Sequence, residues 1–343
     1  MSLVKRPILL LLMCGALGLA ACGGGDDDSD DGGTTDDGST DDGSTDDGST
    51  DDGGDDGGTV DPAGTDNTFV LSELLLPTET NDYSVDLDGD DMADNQLGML
   101  LGVLAGQGLD VQGAVTEQID QGGVILLANV KATDLASAEG VGFYVYLGDN
   151  PNPEACAGKE DTECRLHLAG DATFDIAEDS PTDAVVVGAN ANGSFVGGPG
   201  EVTLELSLAA LADPLVITLS GARVEVGVAA DALSDGVLGG AITEENIQGQ
   251  LIPGITAVLN GLLEESGCSA DMDPCCPEGS TGEDILTFIP DEDCVYTPEE
   301  VASSAAGTLI SQPDVDLDPA VEGNDAISLG VGFSAVPGSF TPP

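Results

Sequence analysis

Between Val202 and Val228 the chain keeps a period of two. Val202, Leu204, Leu206 and Leu208 alternate with Thr203, Glu205 and Ser207, and Leu215, Ile217 and Leu219 resume the pattern after Asp213-Pro214. Strand side chains point alternately to opposite faces, so this rhythm demands an antiparallel sheet with one buried face. Val224, Val226 and Val228 continue in the opposite parity. A slip of one residue at Gly221-Ala222 is what a β-bulge produces.

Further strands are predicted at Val124–Val130, Val141–Leu147, Phe174–Ile176 and Ala326–Val336. Arg165–Leu168 also alternates, which puts Leu166 and Leu168 on one face and His167 with Arg165 on the other, toward solvent. Gly197–Gly200 reads as a turn and Gly236–Gly240 as a glycine-rich crossing. Helical spacing takes over at Leu97, Leu100, Leu101 and Leu104, then at Val111, Val115 and Ile119, which Gly122-Gly123 ends. Leu251, Ile255, Val258, Leu259 and Leu262 define a third helix, with Pro253 in its first turn. Thr297-Pro298-Glu299-Glu300 opens a fourth, running to about Ile310, with a capping threonine, an N1 proline and an N3 glutamate. Tryptophan is absent and aromatics make up 3% of the chain, so Val, Leu, Ile and Ala must fill the core. The expected fold of residues 67–343 is α+β, an antiparallel β-sheet covered by several helices and stapled by disulfides.

The N-terminal part is different in kind. Lys5 and Arg6 precede an apolar run that closes on Leu19-Ala20-Ala21-Cys22. Pro7 to Ala21 falls short of the ~20 residues that a membrane span needs, and the small residues before Cys22 read as a cleavage site. The stretch resembles the lipobox of bacterial lipoproteins. That resemblance implies a signal peptide over 1–21, a diacylglyceryl group and an N-acyl chain on Cys22, and, with Gly23 next, transfer to the outer membrane. Two or more chains anchor stably where one holds marginally. From residue 22 to 66 the chain, after Cys22, is built of Asp, Gly, Ser and Thr but for Val60, Pro62 and Ala63, with Asp-Asp-Gly-Ser-Thr three times in tandem from Asp36 to Thr50. Such a segment has almost nothing apolar to bury and reads as a disordered, self-repelling tether.

The formal net charge is −59, with 65 acids against six bases, two of which leave with the signal. This balance argues against nucleic acid and anionic membrane surfaces as partners. It suits a medium rich in salt or divalent cations, where self-repulsion is screened. Six cysteines remain beyond Cys14 and Cys22, and an even number in an exported chain reads as disulfides. Cys156 pairs most simply with Cys164. Cys275 and Cys276, being adjacent, are expected to pair outward with Cys268 and Cys294, in either order. A zinc site on these four is the alternative, but the spacing lacks two CxxC knuckles.

The most informative motif of the mature chain is Asp86-Leu-Asp88-Gly-Asp90-Asp91-Met92-Ala-Asp94. Calcium takes six to eight oxygen ligands, and alternating carboxylates on a tight loop supply them. Asp86, Asp88, Asp90, the Met92 carbonyl and Asp94 stand at positions one, three, five, seven and nine of a loop similar to those of EF-hands and thrombospondin type 3 repeats. Position six carries Asp91 where those loops carry glycine, and position twelve carries Leu97 where they carry an acid, so a carboxylate from elsewhere in the fold would have to complete the shell. Asp314, Asp316, Asp318, Glu322 and Asp325 offer similar spacing around the stiffer Pro319. The pairing of the first loop and its Asp94-Asn-Gln-Leu-Gly98 with a late Asn324-Asp-Ala-Ile-Ser-Leu-Gly-Val-Gly-Phe333 resembles a group of bacterial lipoproteins without assigned activity. The sequence reading is thus a non-enzymatic, calcium-stiffened envelope lipoprotein that binds an unidentified envelope partner or has a structural role. A carrier holding an apolar ligand between helices and a curved sheet is the second reading. A hydrolase built on two carboxylates is the third, and no pair stands out for it.

Overall fold

The computed structural model describes residues 62–77, 81–98, 101, 111–158, 160–161, 163–206, 214–291 and 293–343. Among the described residues the principal elements are β1 (Thr65–Leu75), α1 (Val111–Gln121), β2 (Leu126–Ala132), β3 (Ser137–Asn152), β4 (Thr173–Ile176), β5 (Val186–Ala191), β6 (Ser194–Leu206), β7 (Leu215–Ala229), β8 (Ala232–Thr243), α2 (Ile252–Glu265), which the helical turns Glu244–Asn246 and Ile247–Leu251 lead into, α3 (Thr281–Phe288), α4 (Pro298–Ser303), α5 (Ala305–Ile310) and β9 (Ala326–Pro337). The strands lie in the order β2-β1-β9-β8-β7-β6-β5-β3-β4, and β2 also pairs with β3. That last pairing closes eight of them into an antiparallel barrel, while β4 extends the far end of β3.

Closure overturns the expected α+β arrangement. The protein is mostly β, and the apolar face that was to lie under helices is turned inward on itself. Alternation alone cannot distinguish the two, because a barrel interior and a helix-covered face need the same one-sided strands. The helices among the described residues do not blanket the sheet. The α1 helix packs on β1 through buried Val111, Val115 and Ile119. The α2 helix meets the barrel at β7, where Gly254 lies against Leu215, and packs on α3 and α4.

Aromatic rings fill the interior. Phe143 of β3 stacks on Phe195 of β6 at 5.6 Å and tilts against Phe333 of β9 at 6.0 Å. These strands are not neighbours, so their rings can meet only inside the barrel. Glycines make the room: a Cβ at Gly236 would lie 2.6 Å from the Phe333 ring, and one at Gly197 would lie 2.5 Å from Phe195. Gly236–Gly240 is therefore part of β8, and Gly197–Gly200 part of β6, where the expectation was a crossing and a turn. The register shifts at Gly200 and at Ser220–Arg223, with Gly221 at φ +63°, carry the bulge foreseen at Gly221-Ala222. The fourth expected helix is broken at Ser304 into α4 and α5, although its capping box forms as read.

A second departure concerns Arg165–Leu168, which forms a short 3₁₀ turn. Arg165 takes φ +69°, and this rotates the alternation out of phase: His167 is 0% exposed and Leu166 40%. The imidazole sits edge-on to Phe174, and burial holds its pKa below the ordinary value against the opposing effect of the Ile119 backbone. Beside it Arg165 pairs with Asp120 at 2.6 Å.

On β6, burial pushes the half-buried Glu205 carboxyl up to about 7, and the Asp179 charge adds to the shift. The folded state holds this proton more tightly than the unfolded state. Its stabilising contribution is therefore complete below the unfolded carboxylate pKa and is lost as pH rises through about 7. We expect Glu205→Gln to stabilise the domain at pH 8 by on the order of 1 kcal/mol, about 2–4 °C in melting temperature, and to change little at pH 4. Thermal melts of both proteins at the two pH values check this, and an equal shift at both would reject it.

Candidate metal centre

The acidic loop leaves the barrel after β1 and is pinched shut by backbone bonds between Val85 and Asp94, at 2.9 and 3.3 Å. Leu87, between two aspartates, is the loop's anchor. It is buried with Ala241, Val315 and Ala326, and Val85 and Leu317 flank this small cluster. The turn follows from Gly89 at φ +84° and Asp91 at φ +65°. Asp91 thus takes the left-handed conformation usual for glycine at position six, which Asp tolerates better than most residues.

Oxygens of Asp86, Asp88 and Asp94 lie within 4.8 Å of one another. Backbone N–H groups fix each carboxylate. Asp86 accepts from Gly89 at 2.7 Å and Asp91 at 3.2 Å, Asp88 from Asp90 at 3.2 Å, and Asp94 from Leu87 at 3.0 Å. A carboxylate oxygen has two lone-pair sites, so each retains acceptor capacity. Asp90 stays outside this trio, its Oδ1 accepting from Met92 N at 2.7 Å, and the Met92 side chain is exposed. Leu97, at position twelve, is buried and offers no ligand.

The second acidic loop abuts the first. Asp88 Oδ2 accepts from Asp316 N at 3.5 Å. Burial raises the Asp94 pKa, the charges of Asp88, Asp314 and Asp90 raise it further, and the Leu87 N–H opposes them. Asp314 is therefore an outside carboxylate near the trio, held by Ser328 through its N–H at 2.8 Å and its hydroxyl. Two further acids of that loop serve their own turn: Asp325 accepts from Leu317 and Asp318, and Asp318 from Ala320. Among the described residues they are not gathered into a separate group of three.

The two segments whose pairing carried the family resemblance are bonded to each other. The buried Asn95 side chain accepts from Gly330 N at 2.8 Å and Gly98 N at 3.1 Å, and donates to Gly330 O at 3.0 Å and Asp82 O at 2.9 Å. Gln96 N donates to Ser328 Oγ at 2.8 Å. These contacts fasten the loop to β9, so the geometry of the aspartates depends on a strand more than 200 residues away. Spacing within the first loop located the trio. Sequence reading missed Asn95 as its brace and Asp314 as its neighbour, and the repeated Asp-x-Asp pattern was the available signal for the latter.

The cysteines are paired Cys156–Cys164, Cys268–Cys276 and Cys275–Cys294, which resolves the order left open by sequence. Cys22 and the signal and tether segments around it, to residue 61, lie outside the described residues, as does most of the helix expected around Leu97–Leu104. No helix among the described residues is long and apolar enough to cross a membrane. Comparison with protein-family models, curated proteins and solved structures finds no match.

The donor set fits a hard divalent cation. It is all oxygen and carries concentrated negative charge.

Proposed function

We propose that this chain is a non-enzymatic lipoprotein of the outer membrane, tied through Cys22 and a disordered tether to a barrel domain that calcium stiffens. The convergence of Asp86, Asp88 and Asp94, next to Asp314 of a second acidic loop, carries the calcium reading. The ion would be held by those three carboxylates, with Asp314 the nearest candidate for a further ligand, and its role would be to join the loops rather than to activate a substrate. The anchor reading rests on the Leu19-Ala20-Ala21-Cys22 stretch. Support for the carrier alternative is weak: the rings of Phe143, Phe195 and Phe333 fill the space an apolar ligand would need. Two surface depressions among the described residues are lined mostly by polar residues of α1, β1 and the Cys156–Cys164 loop, among them Gln112, Thr116 and Asp120.

Mass spectrometry of the mature protein tests the anchor. We expect an N-terminal Cys22 carrying acyl groups, and a Cys22→Ser variant that leaves the membrane fraction. An unmodified N-terminus, or membrane retention of the variant, rejects it.

A further inference from the structure

The two disulfides behind α2 are close enough to trade partners. Cys276 Sγ lies 3.8 Å from Cys294 Sγ, to which it is not bonded, and the sulfurs of Cys275, Cys276 and Cys294 all fall within 4.8 Å of one another. Cys276 and Cys294 are buried, whereas Cys268 and Cys275 are partly exposed. Ser269 N donates to Cys275 O at 2.8 Å, which keeps the Cys268 and Cys275 segments together. One exchange partner of each pair is thus shielded beside its counterpart, and the other two face a reagent.

From this arrangement we propose that the cluster is a thiol-responsive switch between two disulfide isomers, Cys268–Cys276 with Cys275–Cys294, and Cys268–Cys275 with Cys276–Cys294. The co-reactant is an external monothiol, and three exchange steps complete the cycle. The monothiol's thiolate attacks Cys268 Sγ, forming a mixed disulfide there and expelling Cys276 as a thiolate. Cys276 attacks Cys294 Sγ, 3.8 Å away at rest, forming the Cys276–Cys294 bond and expelling Cys275. Cys275 attacks Cys268 Sγ of the mixed disulfide, forming Cys268–Cys275 and returning the external thiolate. Each step makes one S–S bond and breaks one, so nothing is oxidised or reduced overall and the thiol acts catalytically.

The isomers differ in what α3 rests on. Gly282, in its first turn, lies directly against the present bridge: a Cβ there would come within 2.2 Å of Cys268 Sγ and 2.9 Å of Cys276 Sγ, and Gly282 N donates to Ser266 Oγ at 3.0 Å. Exchange removes that bridge and so changes the seat of α3 against α2.

The test incubates the full oxidised chain with a monothiol at pH 8, quenches it in acid and assigns pairings by fragmentation mass spectrometry that separates Cys275 from Cys276. We expect the second isomer to grow to about 1–10% of the population, in the range of a minor conformer. A single pairing at all times overturns the proposal. A Cys275→Ser variant gives an independent readout. Its unpaired Cys294 thiolate faces Cys276, so maleimide trapping under denaturing conditions should label Cys268 as well as Cys294. Label confined to Cys294 after equilibration counts against the exchange.

Discussion

Replacing Asn95 by alanine should cost the domain about 2–4 kcal/mol, because it strips hydrogen bonds from several buried backbone groups at once. The side chain is 6% exposed and makes four bonds, two of them to Gly330 on β9. Removing it leaves a Gly330 N–H and C=O without this partner in a place too tight for easy repair: a Cβ at Gly330 would already lie 2.0 Å from Tyr83 O. Asn95→Asp separates donor from acceptor. It keeps the acceptor facing Gly98 and Gly330 but loses the donations to Asp82 O and Gly330 O and sets a charge against those carbonyls. Both variants should also weaken any metal response, since Asn95 follows Asp94 directly and fastens the loop. Chemical denaturation of the two variants checks the stability loss. A cost below about 1 kcal/mol for Asn95→Ala, the range of one ordinary hydrogen bond, would show that the brace is not needed.

The second large effect has opposite signs in two conditions. Without divalent ion, Asp94→Asn should raise stability slightly, because burial and the Asp88, Asp314 and Asp90 charges already penalise the ionised carboxyl. With calcium the same variant should lose most of the stabilisation that wild type gains. An extracellular-type site has an affinity of about 10⁻⁴–10⁻³ M, and an ion at a hundred times its dissociation constant stabilises by about 2.7 kcal/mol, or roughly 5–10 °C in a domain of this size. Asp88→Asn should likewise lose the calcium response. Glu264→Gln, on the exposed face of α2, should leave the calcium response unchanged. Melting curves in chelator and in calcium decide this; a variant that responds to calcium as wild type does would remove Asp94 from the site.

Local features were legible in the sequence, and closure was not. The alternation of β6 and β7, the bulge between them, α1 and the capping box of α4 could be read because each depends on neighbours within a few residues. The barrel depends on β1 pairing with β2 and β9 and on β2 pairing with β3, contacts that no local pattern encodes. The glycines of β8 look like breakers in isolation and make sense only once their distant neighbours are seen, Phe333 against Gly236, Val85 against Gly239 and Leu219 against Gly240. His167 failed for a comparable reason, since one left-handed residue, Arg165, was enough to reverse which side chain is buried. At the site, spacing identified Asp86, Asp88 and Asp94 but also nominated Asp90, which the turn directs to Met92 N.

The most direct test is a calorimetric titration of calcium into the chelator-treated mature protein, run beside Asp94→Asn so that diffuse binding to the tether aspartates cancels. Two sequence-distant acidic loops meeting on one barrel predict saturable heat that the variant loses, together with a rise in melting temperature. Identical heats from both proteins, or a melting temperature indifferent to chelator, would contradict that account.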